Sequence, residues 1–123
     1  MFRKRATLIL KTEDGIMLAL HAFNFRYGLL GGGVKRGESL EDAARREILE
    51  ELGLNIHGLK FLFNLDCCFQ RHFVFYASVE GVPKRNWEVR KLIYFNGRDL
   101  RKVSLNSSSR RILGRYFSEK KGF

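Results

Sequence analysis

The sequence predicts a single mixed α/β domain, on three observations. Several apolar runs have strand length and end in turn residues, one long amphipathic helix carries caps at both ends, and no repeat or linker interrupts the 123 residues. An apolar fraction of 45% is enough for one core. Residues 1–123 are therefore read as one domain, free to be a monomer or a homodimer.

The elements follow in chain order. Ala6 to Leu10 reads as a strand. Thr12-Glu13-Asp14-Gly15 reads as a turn, its Asp-Gly pair a hairpin signal, and Ile16 to His21 as the partner strand. Phe23 to Tyr27 is an aromatic connector, and Gly31-Gly32-Gly33 is expected to form a loop, since it cannot be a helix interior. The helix expected from Ser39 to Leu52 has Ser39 as N-cap with Asp42 three residues on, and Gly53 where a C-terminal glycine cap belongs. Leu40, Ala43, Ala44, Ile48 and Leu52 supply its apolar stripe. Glu41–Arg45 and Asp42–Arg46 have the spacing of stabilising pairs. Three more strands are expected at Ile56–Leu65, His72–Val79 and Leu92–Phe95. A loop runs from Gly81 to Asn86, a turn starts at Arg98 to Leu100, and a last helix spans Ser107 to Phe117 with the serines as its cap.

Charge is unevenly spread. The chain carries +10, yet residues 32–54 hold six acids and four bases. An acidic island in a basic protein suggests a local cation within a field that attracts anions; a plainly basic solvated surface is the other reading. Cys67 and Cys68 are adjacent, a spacing that rarely bridges, and no Cys/His spacing suits zinc. A reducing, cytoplasmic setting follows. The apolar start is too short for a signal peptide or a membrane span.

The expected helix is charged at the wrong end. Glu47, Glu50 and Glu51 lie in its last two turns, where the dipole favours cations and where their spacing makes them repel. A divalent cation would remove that strain, and carboxylate oxygens are the ligands that hard Mg²⁺ or Mn²⁺ prefers. A solvated acidic face, partly quenched by Arg46, is the alternative. The glycines before the helix can bring backbone carbonyls to a metal or backbone N–H groups, Gly33 among them, to a phosphate.

Read together, Gly32, Glu38, Arg46-Glu47-Ile48, Glu50-Glu51, Gly53 and Leu54 resemble the Nudix box, G-x5-E-x7-R-E-U-x-E-E-x-G-U with U aliphatic, at every specified position. Tyr27-Gly28-Leu29-Leu30-Gly31-Gly32 is similar to the W-x-L-P-G-G that often precedes it, with Tyr27 for Trp and Leu30 for Pro. Glu88-Val89 followed by Tyr94-Phe95 resembles a late E-I…W-F segment of that family. The resemblance implies an α/β/α sandwich around a mixed sheet. It also implies hydrolysis of a nucleoside diphosphate linked to another group, with Mg²⁺, or Mn²⁺ as a substitute. It casts Glu47, Glu50 and Glu51 as metal-binding catalytic carboxylates, with Gly32 giving its carbonyl and Glu88 a further acid. Glu47 is also cast as the base, Arg46 orients it, and Glu38 braces the loop.

Substrate contacts are less legible. Tyr27, Phe23, Phe25 and Trp87 either stack on a base or pack and anchor loops. Arg3, Lys4 and Arg5 either reach phosphates or form a frayed end. His21, His57 and His72 stand singly and read as structural. The leading substrate is a nucleoside triphosphate, in the manner of MutT-like members. The stretch Cys68 to His72 lacks the Pro or Tyr marker of some ADP-ribose and dinucleoside polyphosphate hydrolases. An RNA 5′ end suits the basic remainder of the chain. A non-catalytic binding module is disfavoured by the complete box.

Overall fold

The computed structural model describes residues 2–97 and 99–120. Its elements are β1 (Arg3–Thr12), β2 (Gly15–His21), β3 (Leu30–Gly33), α1 (Leu40–Leu52), β4 (Ile56–Cys67), β5 (Gln70–Val79), β6 (Val89–Phe95) and α2 (Ser107–Lys120), with a 3₁₀ turn at Leu100–Lys102. The sheet runs β4-β5-β1-β2-β6, with β3 also paired to β1. It is mixed, because β1 and β5 are parallel and the other pairs antiparallel. Leu8, Ile9 and Leu10 are fully buried. That is expected of a central strand covered on both faces, which reads as an unbroken apolar run.

The two faces make two cores. Ala6, Leu8 and Leu10 of β1 meet Ala43, Ala44, Ile48 and Leu52 of α1. Ile9, Leu18 and Val74 meet Ile112, Leu113 and Tyr116 of α2 on the opposite face. The fold is thus the α/β/α sandwich expected. No helix among the described residues is long and apolar enough to cross a membrane.

The structure departs from several expectations. The glycine run is a strand. β2 pairs with β1 only at Lys11↔Ile16 and Thr12↔Gly15 and then turns to β6, which frees the edge of β1 from Arg5 to Leu8 for β3. Gly31 allows that pairing: its φ is 138°, and a Cβ there would collide with the carbonyl of Ala6. The basic N-terminal residues are not frayed, since β1 begins at Arg3 and pairs with β5 from its first residue. Asn106, not the serines, caps α2 by accepting from Ser109 N–H at 2.9 Å, and Ser109 Oγ accepts from Leu29 N–H at 2.9 Å. Of the expected turn at 98–100, Arg98 lies outside the described residues.

Helix α1 keeps both expected caps. Ser39 accepts from Asp42 N–H at 3.0 Å, and Gly53 takes the left-handed conformation. Its expected charge pairs do not form. Arg45 donates to the Ile56 carbonyl at 3.0 Å, and Arg46 turns toward Glu38, Glu47 and Glu50. A bidentate partner outside the helix outcompetes a solvated pair along it.

Candidate active site

The last turn of α1 contains no basic residue. Two of its end carbonyls are satisfied instead by the segment that precedes β6. Lys84 N–H donates to Leu52 O at 2.7 Å and Asn86 N–H to Glu51 O at 3.0 Å. These two bonds carry the 84–88 segment, and with it Glu88, to the glutamate end of the helix.

Arg46 organises this end. Its Nε and one terminal nitrogen grip Glu38 at 2.7 and 3.0 Å, and that same terminal nitrogen donates to Gly33 O at 3.0 Å. The other terminal nitrogen donates to Glu47 at 2.9 Å and Glu50 at 3.3 Å. Glu38 also accepts from Lys35 N–H at 3.0 Å, so it ties the loop after β3 to α1. The Arg46 guanidinium, with the Lys35 N–H behind it, holds the Glu38 carboxyl down at about 2.

Glu47 is held differently. Burial pushes its carboxyl up; the Arg46 bond opposes this, and the nearby Glu51 charge adds to it. Its carboxylate occupies the space where a side chain at position 32 would stand, so the glycine there is a cradle for it. Glu51 is 3% exposed. Its Oε2 lies 2.5 Å from His21 Nε2, and its Oε1 is buried without a hydrogen-bond partner among the described residues. A buried carboxylate oxygen left unpaired beside a second carboxylate is costly unless a cation serves both.

These groups form one wall of a cavity of about 440 Å³. Glu47, Glu51, His21 and Glu88 lie on its lining, as do Gly31, Gly32 and Gly33. The lining continues through Arg5, Thr7 and His72 to Asn106 at the start of α2. The register explains the layout: Gly33, Arg5 and His72 sit abreast on β3, β1 and β5. Arg5 is half-buried; its Nε donates to Thr7 Oγ1 at 3.2 Å and a terminal nitrogen to Leu29 O at 3.3 Å. Burial lowers its pKa, while Glu51 and Glu47 act to raise it. His72 Nδ1 is 2.8 Å from Thr7 Oγ1. Burial, helped by the Arg5 charge, pushes the His72 imidazole down to about 4.

Of the residues expected from the sequence, the structure brings Glu47, Glu51, Glu88, Gly32, Gly33 and Arg5 to this cavity. Arg46 stands behind it, and Glu50 is half-exposed beside Arg46 and off the lining. Tyr27 is also off the lining: it packs on the α2-side core and bridges to Leu105, because its N–H and carbonyl pair with the chain just before α2. Among the described residues, no three His, Cys, Asp or Glu side chains already converge as a metal cluster. The donor set nonetheless fits a hard divalent cation, through the unpaired Glu51 oxygen, the partly buried Glu47 and the glycine cradle under Glu47.

Sequence reasoning read His21 and His72 as structural, and the structure places both on the lining of the cavity. Each is a lone histidine, and only tertiary pairing gives it a role. A period-2 reading of β1 and β5 offered one signal: Arg5 and Thr7 share a strand face with Ile9, and His72 shares one with Val74, so polar residues interrupt an otherwise apolar face.

Comparisons with known proteins agree with this fold. Residues 1–115 match the family described as the NUDIX domain. A crystal structure assigned to the nudix hydrolase family from Chromobacterium violaceum superposes with a TM-score of 0.86 at 33% identity, covering 96% of this chain and 78% of that one. The oxidized purine nucleoside triphosphate hydrolase of Danio rerio is 34% identical over 98 residues, 71% of this chain and 63% of that protein. The NAD-capped RNA hydrolase NudC of Salmonella agona is 38% identical over 55 residues, 43% of this chain and 21% of that protein. The matched region is therefore less than two thirds of either relative.

Proposed function

The chain belongs to the NUDIX domain family, and on that premise we propose that it hydrolyses a phosphoanhydride bond in a nucleoside diphosphate linked to another group, with Mg²⁺. A nucleoside triphosphate is the leading substrate and the cytoplasm the setting; its cysteines are free thiols. The observation that carries the reading is the pair Glu47 and Glu51, one raised by burial and one with an unpaired buried oxygen, on the wall of a polar cavity.

Glu47 and Glu51, with Glu50, Glu88 and the Gly32 carbonyl, would hold the cation. A bound divalent ion supplies charge neutralisation at the phosphates and a more acidic water. The protein's own groups do the rest. Arg46 fixes Glu47, whose carboxylate accepts the proton of the attacking water. His21 fixes the orientation of Glu51 by contact with its Oε2. Arg5 and the Gly33 N–H face the phosphates, in keeping with a strand edge that presents donors to an anion.

Glu51→Gln tests the reading. Phosphate release from nucleoside triphosphates should fall roughly a thousandfold, with the far-ultraviolet circular dichroism unchanged. Mn²⁺ binding, followed by paramagnetic resonance, should weaken in parallel. Full activity in this variant would sink the mechanism. The MutT-like reading draws on the Danio rerio relative, which spans most of this chain.

A further inference from the structure

The β4–β5 hairpin closes on a strained turn. Cys67 pairs with Gln70, so Cys68 and Phe69 are its two central residues, with φ 56° and 64°. Two positive values are the pattern of a type I′ turn, for which Asn-Gly is the favoured pair. Cysteine and phenylalanine are strained there, and neither gains burial: Cys68 is exposed and Phe69 is 84% exposed.

The turn brings two thiols together. Cys67 is 8% exposed, and its Sγ lies 2.9 Å from Cys68 Sγ. The Cys68 thiol, then Ser108 and the Arg111 guanidinium from the start of α2, hold the Cys67 thiol below its ordinary range, against the opposing effect of burial. A helix N-terminus and a cation both favour a thiolate. Cys67 is thus set up as a nucleophile, with a solvent-exposed second thiol in contact with it.

The pair adjoins the cavity. Gln70, which follows the turn, and Ser108 both lie on the lining. They stand on the β5 side, and β5 is two strands over from the Gly32 cradle on β3. Phe69 O accepts from Arg3 N–H at 3.0 Å, which ties the turn to the start of β1.

We propose that Cys67 and Cys68 are a peroxide-reactive pair, in which Cys67 is oxidised first and Cys68 then closes a vicinal disulfide that reshapes the β5 side of the cavity. The oxidant is a hydroperoxide. The Cys67 thiolate attacks one peroxide oxygen, so that an S–O bond forms and the O–O bond breaks. The departing oxygen takes a proton from solvent and leaves as an alcohol, or as water when the oxidant is hydrogen peroxide. Cys68 then gives up its proton and attacks the sulfenic sulfur of Cys67. The S–S bond forms, the S–O bond breaks, and hydroxide leaves with that proton as water. The two thiols together lose two electrons to the peroxide, and a small thiol returns them by exchange. Adjacent Cα atoms are only about 3.8 Å apart, closer than the roughly 4.4–6.8 Å usual across a disulfide. Closing the ring must therefore bend the strained turn, which moves Gln70 and removes the thiolate that Ser108 faces.

Hydrogen peroxide is the probe, with intact-mass analysis and thiol titration as the first readouts. Wild type should lose both thiols and two hydrogens, form no disulfide between molecules, and recover with dithiothreitol. In Cys68→Ser, dimedone should label a sulfenic acid at Cys67. The variant Cys68→Asn/Phe69→Gly, which supplies the favoured turn pair, should give the same label. In Cys67→Ser, the remaining thiol should react at least about tenfold more slowly. Oxidised wild type should show KM for a nucleoside triphosphate raised at least about threefold, with kcat and Mn²⁺ affinity kept, because the glutamates are untouched. Peroxide should leave KM of Cys67→Ser unchanged. Equal rates of oxidation in the two single serine variants overturn the proposal, as does a sulfonic acid with no disulfide. A disulfide that leaves KM unchanged overturns its reach into the cavity. The KM readout rests on the reading above that the cavity takes a phosphoanhydride, and the mass readout does not. A protein that forms the disulfide but hydrolyses no nucleotide would leave the thiol pair standing and remove the catalytic reading.

Discussion

Gly32→Ala separates the cradle from the fold. A Cβ at position 32 would lie 2.5 Å from Glu47 Oε2 and closer still to Oε1 and Cδ. Real Cβ atoms do not approach that near, so something must move, and the end of the flexible Glu47 side chain moves most easily. The backbone of residue 32 is not left-handed, so alanine adds no strain of its own. The carboxylate must shift by roughly 1 Å or more, away from Arg46, which costs about 100-fold in rate. That corresponds to about 2.7 kcal/mol in the barrier. The melting temperature should fall by no more than about 4 °C, the equivalent of about 1 kcal/mol. The assay is phosphate release from a nucleoside triphosphate with Mg²⁺, paired with thermal melting. Gly31→Ala is the contrast: its Cβ meets the Ala6 carbonyl and its φ is 138°, so that variant should lose the fold. A Gly32→Ala protein with wild-type activity would refute the cradle, and one that fails to fold would refute the claim that Glu47 yields.

Three further expectations follow from the same contacts. Arg46→Lys leaves one ammonium where a planar fork served Glu38, Glu47 and Gly33 O. Steady-state kinetics should show kcat lower by roughly 10- to 100-fold, and urea melts a loss of about 1 kcal/mol. His72, depressed to about 4 by burial, folds in its neutral form. Its contribution is whole above pH 6.5 and is lost as pH falls toward 4, because the unfolded chain binds the proton more readily. Urea unfolding between pH 7 and 4 should lose on the order of 2–3 kcal/mol from this group, and His72→Leu should flatten the slope over that window. Gly114 lies inside α2, and a Cβ there meets nothing within 4 Å. Gly114→Ala should therefore raise stability by about 0.5–1 kcal/mol without altering turnover, as thermal melting and the phosphate assay would show.

Much of this protein was decided locally. Ser39 and Gly53 bound α1 because a hydroxyl N-cap and a left-handed glycine are short-range devices. Ala6 to Leu10 read as a buried strand because an unbroken apolar run of that length must be covered on both sides. The box spacing placed Glu47 and Glu51 on one helix face before any fold was known, since helical periodicity alone sets that geometry. The poor match of these glutamates to the helix dipole is also a sequence property.

Other features came only with the tertiary structure. The strand identity of Leu30–Gly33 depends on an edge that β2 vacates on β1, and no property of a glycine run announces a distant vacancy. The partners of Arg46 were misjudged because its neighbours along α1 compete with Glu38 across a loop, and the bidentate bond prevails. The places of His21 and His72 on the cavity lining were not legible, because their partners lie 30 residues away at Glu51 and 65 away at Thr7. Local sequence sets how each element forms and which face it shows. Which polar groups then meet inside a cavity depends on strand order and register, and these are fixed by the packing of the whole chain.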